Sequence, residues 1–239
     1  MATLIERLRR LTPIQWIIVL LLVWFAASAI GSLLRDPGTL IVRLIILLIA
    51  FPVHEFAHAW TAVYFGDETP RIMGRLTLDP RSHLDLFGSV LLLFSGIGWA
   101  KPVPVNPMYL QRSNAMLWIA FAGPLSNLIL AFIGATAFWF TPLEPSFSAF
   151  SGSWVPSLGF MVTQFIYINL ILFFFNLIPL YPLDGEKVAV EIAPYSWRYQ
   201  WERIRPFSIY ILAGILFLAP GVLSFLVGMP AQFVFNLLV

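Results

Sequence analysis

Five apolar runs, each long enough to cross a bilayer, govern what this chain can fold into; they fall at roughly 15–34, 40–65, 114–140, 156–179 and 207–228. A helix needs about 20 predominantly apolar residues, rising ~1.5 Å each, to traverse the hydrocarbon. Within that layer every backbone polar group needs an internal partner, so such runs are read as helices. Composition agrees, since 59% of the 239 residues are hydrophobic and only 11% are charged. The expected fold class is an all-α polytopic membrane protein, one domain over residues 1–239. Five spans are expected, with a candidate partial sixth in the last eleven residues, "MPAQFVFNLLV", beyond the "APG" break at 219–221.

Two segments need separate treatment. "RLRR" followed by "WIIVLLLVWFAASA" has the look of a cleavable secretory signal, but the apolar run continues to Leu34, so it is read as a retained anchor. The stretch 86–98, "LFGSVLLLFSGIG", is short and glycine-rich, as in a re-entrant segment. It lies in a region of about 70–113 that also holds "RLTLD" at 75–79, whose alternation suggests a strand or small β-hairpin.

Basic residues indicate orientation. With five spans, a cytoplasmic N-terminus and a re-entrant 86–98, the inner segments hold 12 of the 14 lysines and arginines, leaving only Arg35 and Arg43 on or near the outer side. The expected location is the cell's inner membrane. The second and fourth spans then both end at the cytoplasmic face, where distant motifs can meet. The net charge of +2 is too small and dispersed to suggest a nucleic-acid partner. With no cysteine, disulfides, thiolate ligands and thiol nucleophiles are excluded.

Against this background "HEFAHAW", residues 54–60, stands out. Ionisable groups in an apolar span are costly unless they bind something. His54 and His58 share a helical face, and His-Glu-x-x-His is the zinc-hydrolase spacing in which the glutamate, here Glu55, acts as general base. Zinc needs a third protein ligand while keeping one position open. Asp184, in "NLIPLYPLDGEK" (176–187), is the candidate: Pro179 and Pro182 break the helix, and Gly185 permits a turn. A plain helix N-cap is the competing role for Asp184. His83 lies in a polar stretch and is read as structural. Asn169 and Asn176 share a helical face and are read as packing.

The pair of motifs, with "GRLTLDPRSHLDLFGS" (74–89), "GWAKPVPVNP" (98–107) and "AGPLSN" (122–127), resembles the site-2 protease family of intramembrane zinc metalloproteases. The likeness covers roughly residues 40–235, and is nearest to compact members without PDZ or CBS domains. It departs at Glu186, where many relatives have a second glycine. The resemblance implies one zinc ion held by His54, His58 and Asp184, a water-activating Glu55, and single-span transmembrane substrates that must unwind before cleavage. It also implies that Asn127 contacts substrate or the developing oxyanion, with helix packing an equal alternative. The competing functions are a metal-ion transporter using the same ligands and a catalytically idle binder of membrane helices. The substrate's identity and the oligomeric state are not legible in the sequence.

Overall fold

The computed structural model describes Thr12, Trp16, Gly31 and residues 37–95, 98–148 and 156–239. The run expected at 15–34 lies outside the described residues apart from Trp16 and Gly31. The helices of the described part are α1 (Pro37–Ile45), α2 (Phe51–Tyr64), α3 (Thr69–Ile72), α4 (Leu86–Ser95), α5 (Ala115–Phe140), α6 (Leu158–Asn176), α7 (Asp184–Ile192), α8 (Tyr195–Ile204), α9 (Ser208–Leu218), α10 (Pro220–Leu223) and α11 (Met229–Leu238). Among the described residues, four helical stretches are long and apolar enough to cross a membrane: Leu40–Tyr64, Ala115–Phe140, Leu158–Asn176 and Pro220–Leu238.

The C-terminal span differs from the expected 207–228. Pro220 lacks an N–H and disfavours helical geometry at the residue before it. Ala219 accordingly leaves the helix, at φ −133° and ψ 56°. Eleven-residue α9 stops there, and the spanning helix begins at Pro220 and takes in all but the final one of the last eleven residues. Its buried face is the stripe Val227, Ala231, Phe235 and Leu238, the i, i+4 spacing of one helical side.

The expected strand at 75–79 is also absent; the described residues contain no strand, only an isolated antiparallel bridge between Leu84 and Ala100. The local backbone finds other partners. Thr77 O accepts from His83 Nε2 at 2.7 Å, Asp79 N donates to Thr77 Oγ1 at 3.1 Å, and Arg75 N donates to Pro70 O at 2.8 Å. These local bonds satisfy groups that a ladder would otherwise use. Ten-residue α4 rises about 15 Å, half the hydrocarbon thickness.

Helix α5 is the hub, packing on α2, α6 and α7. Small side chains make this possible: a Cβ on Gly134 would come within 2.8 Å of Ile166, and Ala131 and Ala135 are fully buried against Ile166 and Leu170. Close approach through small residues is how helices associate where no hydrophobic force drives them together. A second cluster, Ala62, Phe65, Ala115 and Ile119, joins α2 to the start of α5.

Candidate metal centre

The first half of the site rides on α2, which continues the span from α1 through a π-turn at Ile46–Ala50. Pro52, in the first turn of α2, cannot donate a helical hydrogen bond, and π-turns are common at such irregular, functional positions. The next turns carry His54, Glu55 and His58, all buried.

The second half comes from the start of α7. Helix α6 ends at Asn176, and a turn containing Pro179 and a cis Tyr181–Pro182 bond leads into Asp184. The N-cap of α7 is Leu183, so Asp184 occupies the first helical position and its side chain does not cap. Gly185 is helical, and its role is close approach: a Cβ there would collide with the backbone of Leu177 and Ile178. At the position where the resemblance departs, the buried Glu186 carboxylate pairs with Arg205 at 3.4 Å, and that guanidinium sits 4.9 Å from the Tyr181 ring centre.

The two halves meet. Asp184 Oδ2 lies 3.1 Å from His54 Nε2 and 3.0 Å from His58 Nε2, and the two Nε2 atoms are 3.1 Å apart. Ligand atoms ~2.0–2.1 Å from a tetrahedral zinc stand about 3.3 Å apart, so the spacing suits one ion.

Tautomers settle whether these atoms can act as ligands. Ile119 O can only accept, so His58 Nδ1 donates to it, at 2.6 Å. Phe165 O likewise only accepts, which orients Asn169 with Nδ2 toward it at 2.8 Å. Asn169 Oδ1 then accepts from Asn127 Nδ2 at 2.9 Å, and Asn127 Oδ1 faces His54 Nδ1 at 2.7 Å. His54 Nδ1 must therefore donate. In the neutral rings that ligate a metal the proton therefore sits on Nδ1, and both Nε2 lone pairs face the Asp184 carboxylate. Three ligand atoms converging in this way could hold one cation, and the nitrogen and oxygen donor set suits zinc.

Asn127, expected among the substrate contacts, is thus fully buried with both ends of its amide engaged. Asn169, read from the sequence as packing, is the link that orients it. Asn176 donates to Leu172 O on its own helix at 2.9 Å. His83 is fully buried away from the cluster, bonded to Thr77 O. Gly123, in the "AGPLSN" segment, faces the imidazoles: a Cβ there would lie 2.6 Å from His54 Nε2 and collide with His58.

Glu55 faces the same space. One of its oxygens, Oε2, accepts from Val103 N at 3.1 Å. Val103 belongs to a non-helical run, 98–106, held at several points. Arg75 Nη2 donates to Lys101 O and Pro102 O at 2.7 and 2.6 Å, Lys101 N donates to His83 O at 2.7 Å, and Asn106 N donates to Asp67 Oδ2 at 2.7 Å. Burial pushes the Arg75 guanidinium below its ordinary value, and the Glu55 charge opposes that. A cavity of about 530 Å³ lies between this run and the helices, lined by His54, Glu55, His58, Asp184 and Lys187 among others.

Comparison with known proteins agrees with this chemistry. The sequence profile of peptidase family M50 matches residues 42–219. The chain is 40% identical over 191 residues to "Putative zinc metalloprotease YwhC" of Bacillus subtilis (strain 168), covering 77% of this chain and 84% of that protein. It is 34% identical over 177 residues to "Putative zinc metalloprotease Rip2" of Mycolicibacterium smegmatis, covering 69% of this chain and 61% of that one. No solved structure matches. Because the matched region runs unbroken from the histidine helix past Asp184, this chain belongs to peptidase family M50, the site-2 proteases, and is a membrane zinc metalloprotease.

Proposed function

We propose that this protein is an intramembrane endopeptidase that cleaves transmembrane segments of single-span proteins near the cytoplasmic face, as in regulated intramembrane proteolysis. The observation that carries the reading is the shared cavity: a buried glutamate and three converging ligand atoms line one space inside a bundle of apolar helices. In this reading His54, His58 and Asp184 hold one zinc ion, which when bound supplies Lewis acidity toward water and carbonyl oxygen. Glu55 takes the proton of the attacking water and delivers it to the leaving amine. The Val103 amide engages Oε2, which leaves Oε1 for proton transfer. Asn127 works through His54, holding its ring and tautomer, while Asn169 holds Asn127.

A helical peptide bond is shielded by its own hydrogen bonds, so a substrate must unwind to present its carbonyl. The run 98–106 beside Glu55 is a suitable wall against which to hold it extended. A cytoplasmic N-terminus in the cell membrane is supported by the basic residues, most of which fall on the side where the site opens under that orientation.

The test is cleavage of a model transmembrane substrate by purified protein in liposomes. Wild type is expected to cut within the span, and Glu55→Gln to lose at least ~10²-fold in kcat, the typical worth of a general base. Equal cleavage by both would refute the mechanism. Zinc flux without hydrolysis would point instead to a metal carrier.

A further inference from the structure

Peptide hydrolysis builds negative charge on the carbonyl oxygen, and sites of this kind place a donor or cation where that charge develops. Asn127, the amide that the family resemblance brings forward for that task, has both ends committed and does not line the cavity. The imidazole N–H groups are likewise used, on Asn127 and Ile119. Among the described residues lining the cavity, Lys187 is the only lysine or arginine. Its position follows from the helix: three residues after Asp184, on the same face of the first turn of α7. The side chain is half-exposed, and its Nζ lies 3.6 Å from Asp184 Oδ1, the oxygen turned away from the histidine nitrogens. An ammonium has three donors on a flexible four-carbon stem. A single partner at 3.6 Å leaves donors to spare.

We propose that Lys187 is a catalytic residue whose ammonium donates a hydrogen bond to the oxyanion of the tetrahedral intermediate. This rests on the reading of Glu55 as base and of His54, His58 and Asp184 as ligands. As water attacks, its oxygen bonds to the carbonyl carbon and one proton passes to Glu55. The carbonyl π pair moves onto the oxygen, where Lys187 meets it. When the C–N bond breaks, that pair re-forms the C=O bond, the leaving nitrogen takes the proton from Glu55, and Lys187 returns to Asp184. The products are a carboxylic acid and an amine. Lys187 lends a hydrogen bond and transfers no proton, so the step needs no co-reactant.

The alternative is that Lys187 merely neutralises Asp184 and steadies a zinc ligand. The two roles separate in an experiment on the full chain in liposomes, comparing wild type, Glu55→Gln, Lys187→Met, Lys187→Gln and Lys187→Arg. Steady-state kinetics, zinc dissociation constants from chelator competition, and thermal unfolding are measured for each. The proposal expects Lys187→Met and Lys187→Gln to lose about 10²-fold in kcat, the usual cost of removing an oxyanion donor. KM and zinc affinity should stay within about threefold, and Lys187→Arg should recover at least a tenth of the activity. A phosphinic peptide carrying an oxyanion mimic should lose affinity in step with kcat, as a transition-state contact requires. Wild-type kcat in either neutral variant at full zinc occupancy would overturn the proposal. So would a defect that saturating zinc restores, which would make Lys187 a support for Asp184. If wild type and Glu55→Gln cut alike, the protease mechanism itself has failed and Lys187 falls with it.

Discussion

Replacing Asn127 by alanine tests whether this amide holds a ligand or touches substrate. In the native protein Asn127 is fully buried between His54 Nδ1 and Asn169 Oδ1, at 2.7 and 2.9 Å. Alanine strands both: the imidazole loses the acceptor that keeps its proton on Nδ1, and Asn169 Oδ1 loses its donor. A buried polar group left unpaired costs ~1–3 kcal/mol. That matches the tenfold to hundredfold loss of metal affinity typical for a missing second partner of a ligating histidine, or about 1.4–2.7 kcal/mol. The expected result is a zinc dissociation constant raised ~10–100-fold by chelator competition, with kcat at saturating zinc falling only a few fold. Asn127→Asp keeps an acceptor for His54 but sets a carboxylate oxygen against Asn169 Oδ1, so it should recover only part of the zinc affinity. Wild-type zinc affinity in Asn127→Ala, together with a ~10²-fold drop in kcat at full occupancy, would place Asn127 on the oxyanion and refute the positioning role.

Other perturbations follow from the same geometry. Gly123→Ala puts a methyl group against both Nε2 atoms, so α2 and α5 must separate; zinc content of the purified protein should fall below half, while overpacking lowers stability by ~1–3 kcal/mol. Asp184→Asn should abolish the rise in thermal midpoint that zinc confers on wild type, since linkage stabilises only a state that binds. Arg75→Met removes the two bonds to Lys101 O and Pro102 O, and hydrogen exchange at Lys101 and Val103 should accelerate at least tenfold; unchanged exchange would mean the run is held elsewhere.

How much of this was legible in sequence depended on range. The spans at Leu40–Tyr64, Ala115–Phe140 and Leu158–Asn176 match apolar runs closely, because hydrophobic length is a property of contiguous residues. The pairing of His54 with His58 follows from one helical turn. The boundary at Ala219 was written in the chain too, as Pro220, but the span expected at 207–228 ran through the "APG" break, where the spanning helix in fact begins. The strand expected at 75–79 failed for a different reason: alternation there reflects a turn-rich loop whose bonds go to Thr77 Oγ1, His83 Nε2 and Pro70 O.

By itself the sequence determined that the chain lives in a membrane, that two imidazoles and a glutamate share a helix turn within it, and that no thiol takes part. Those statements need only local spacing and composition. Tertiary structure alone decided that Asp184 lies within 3.1 Å of both rings, that Phe165 O through two asparagines sets the His54 proton, and that Gly123 leaves room for the cluster. Each depends on where separate helices come to rest against α5, and hydrogen-bond direction and close packing between distant segments have no periodicity for a sequence to display.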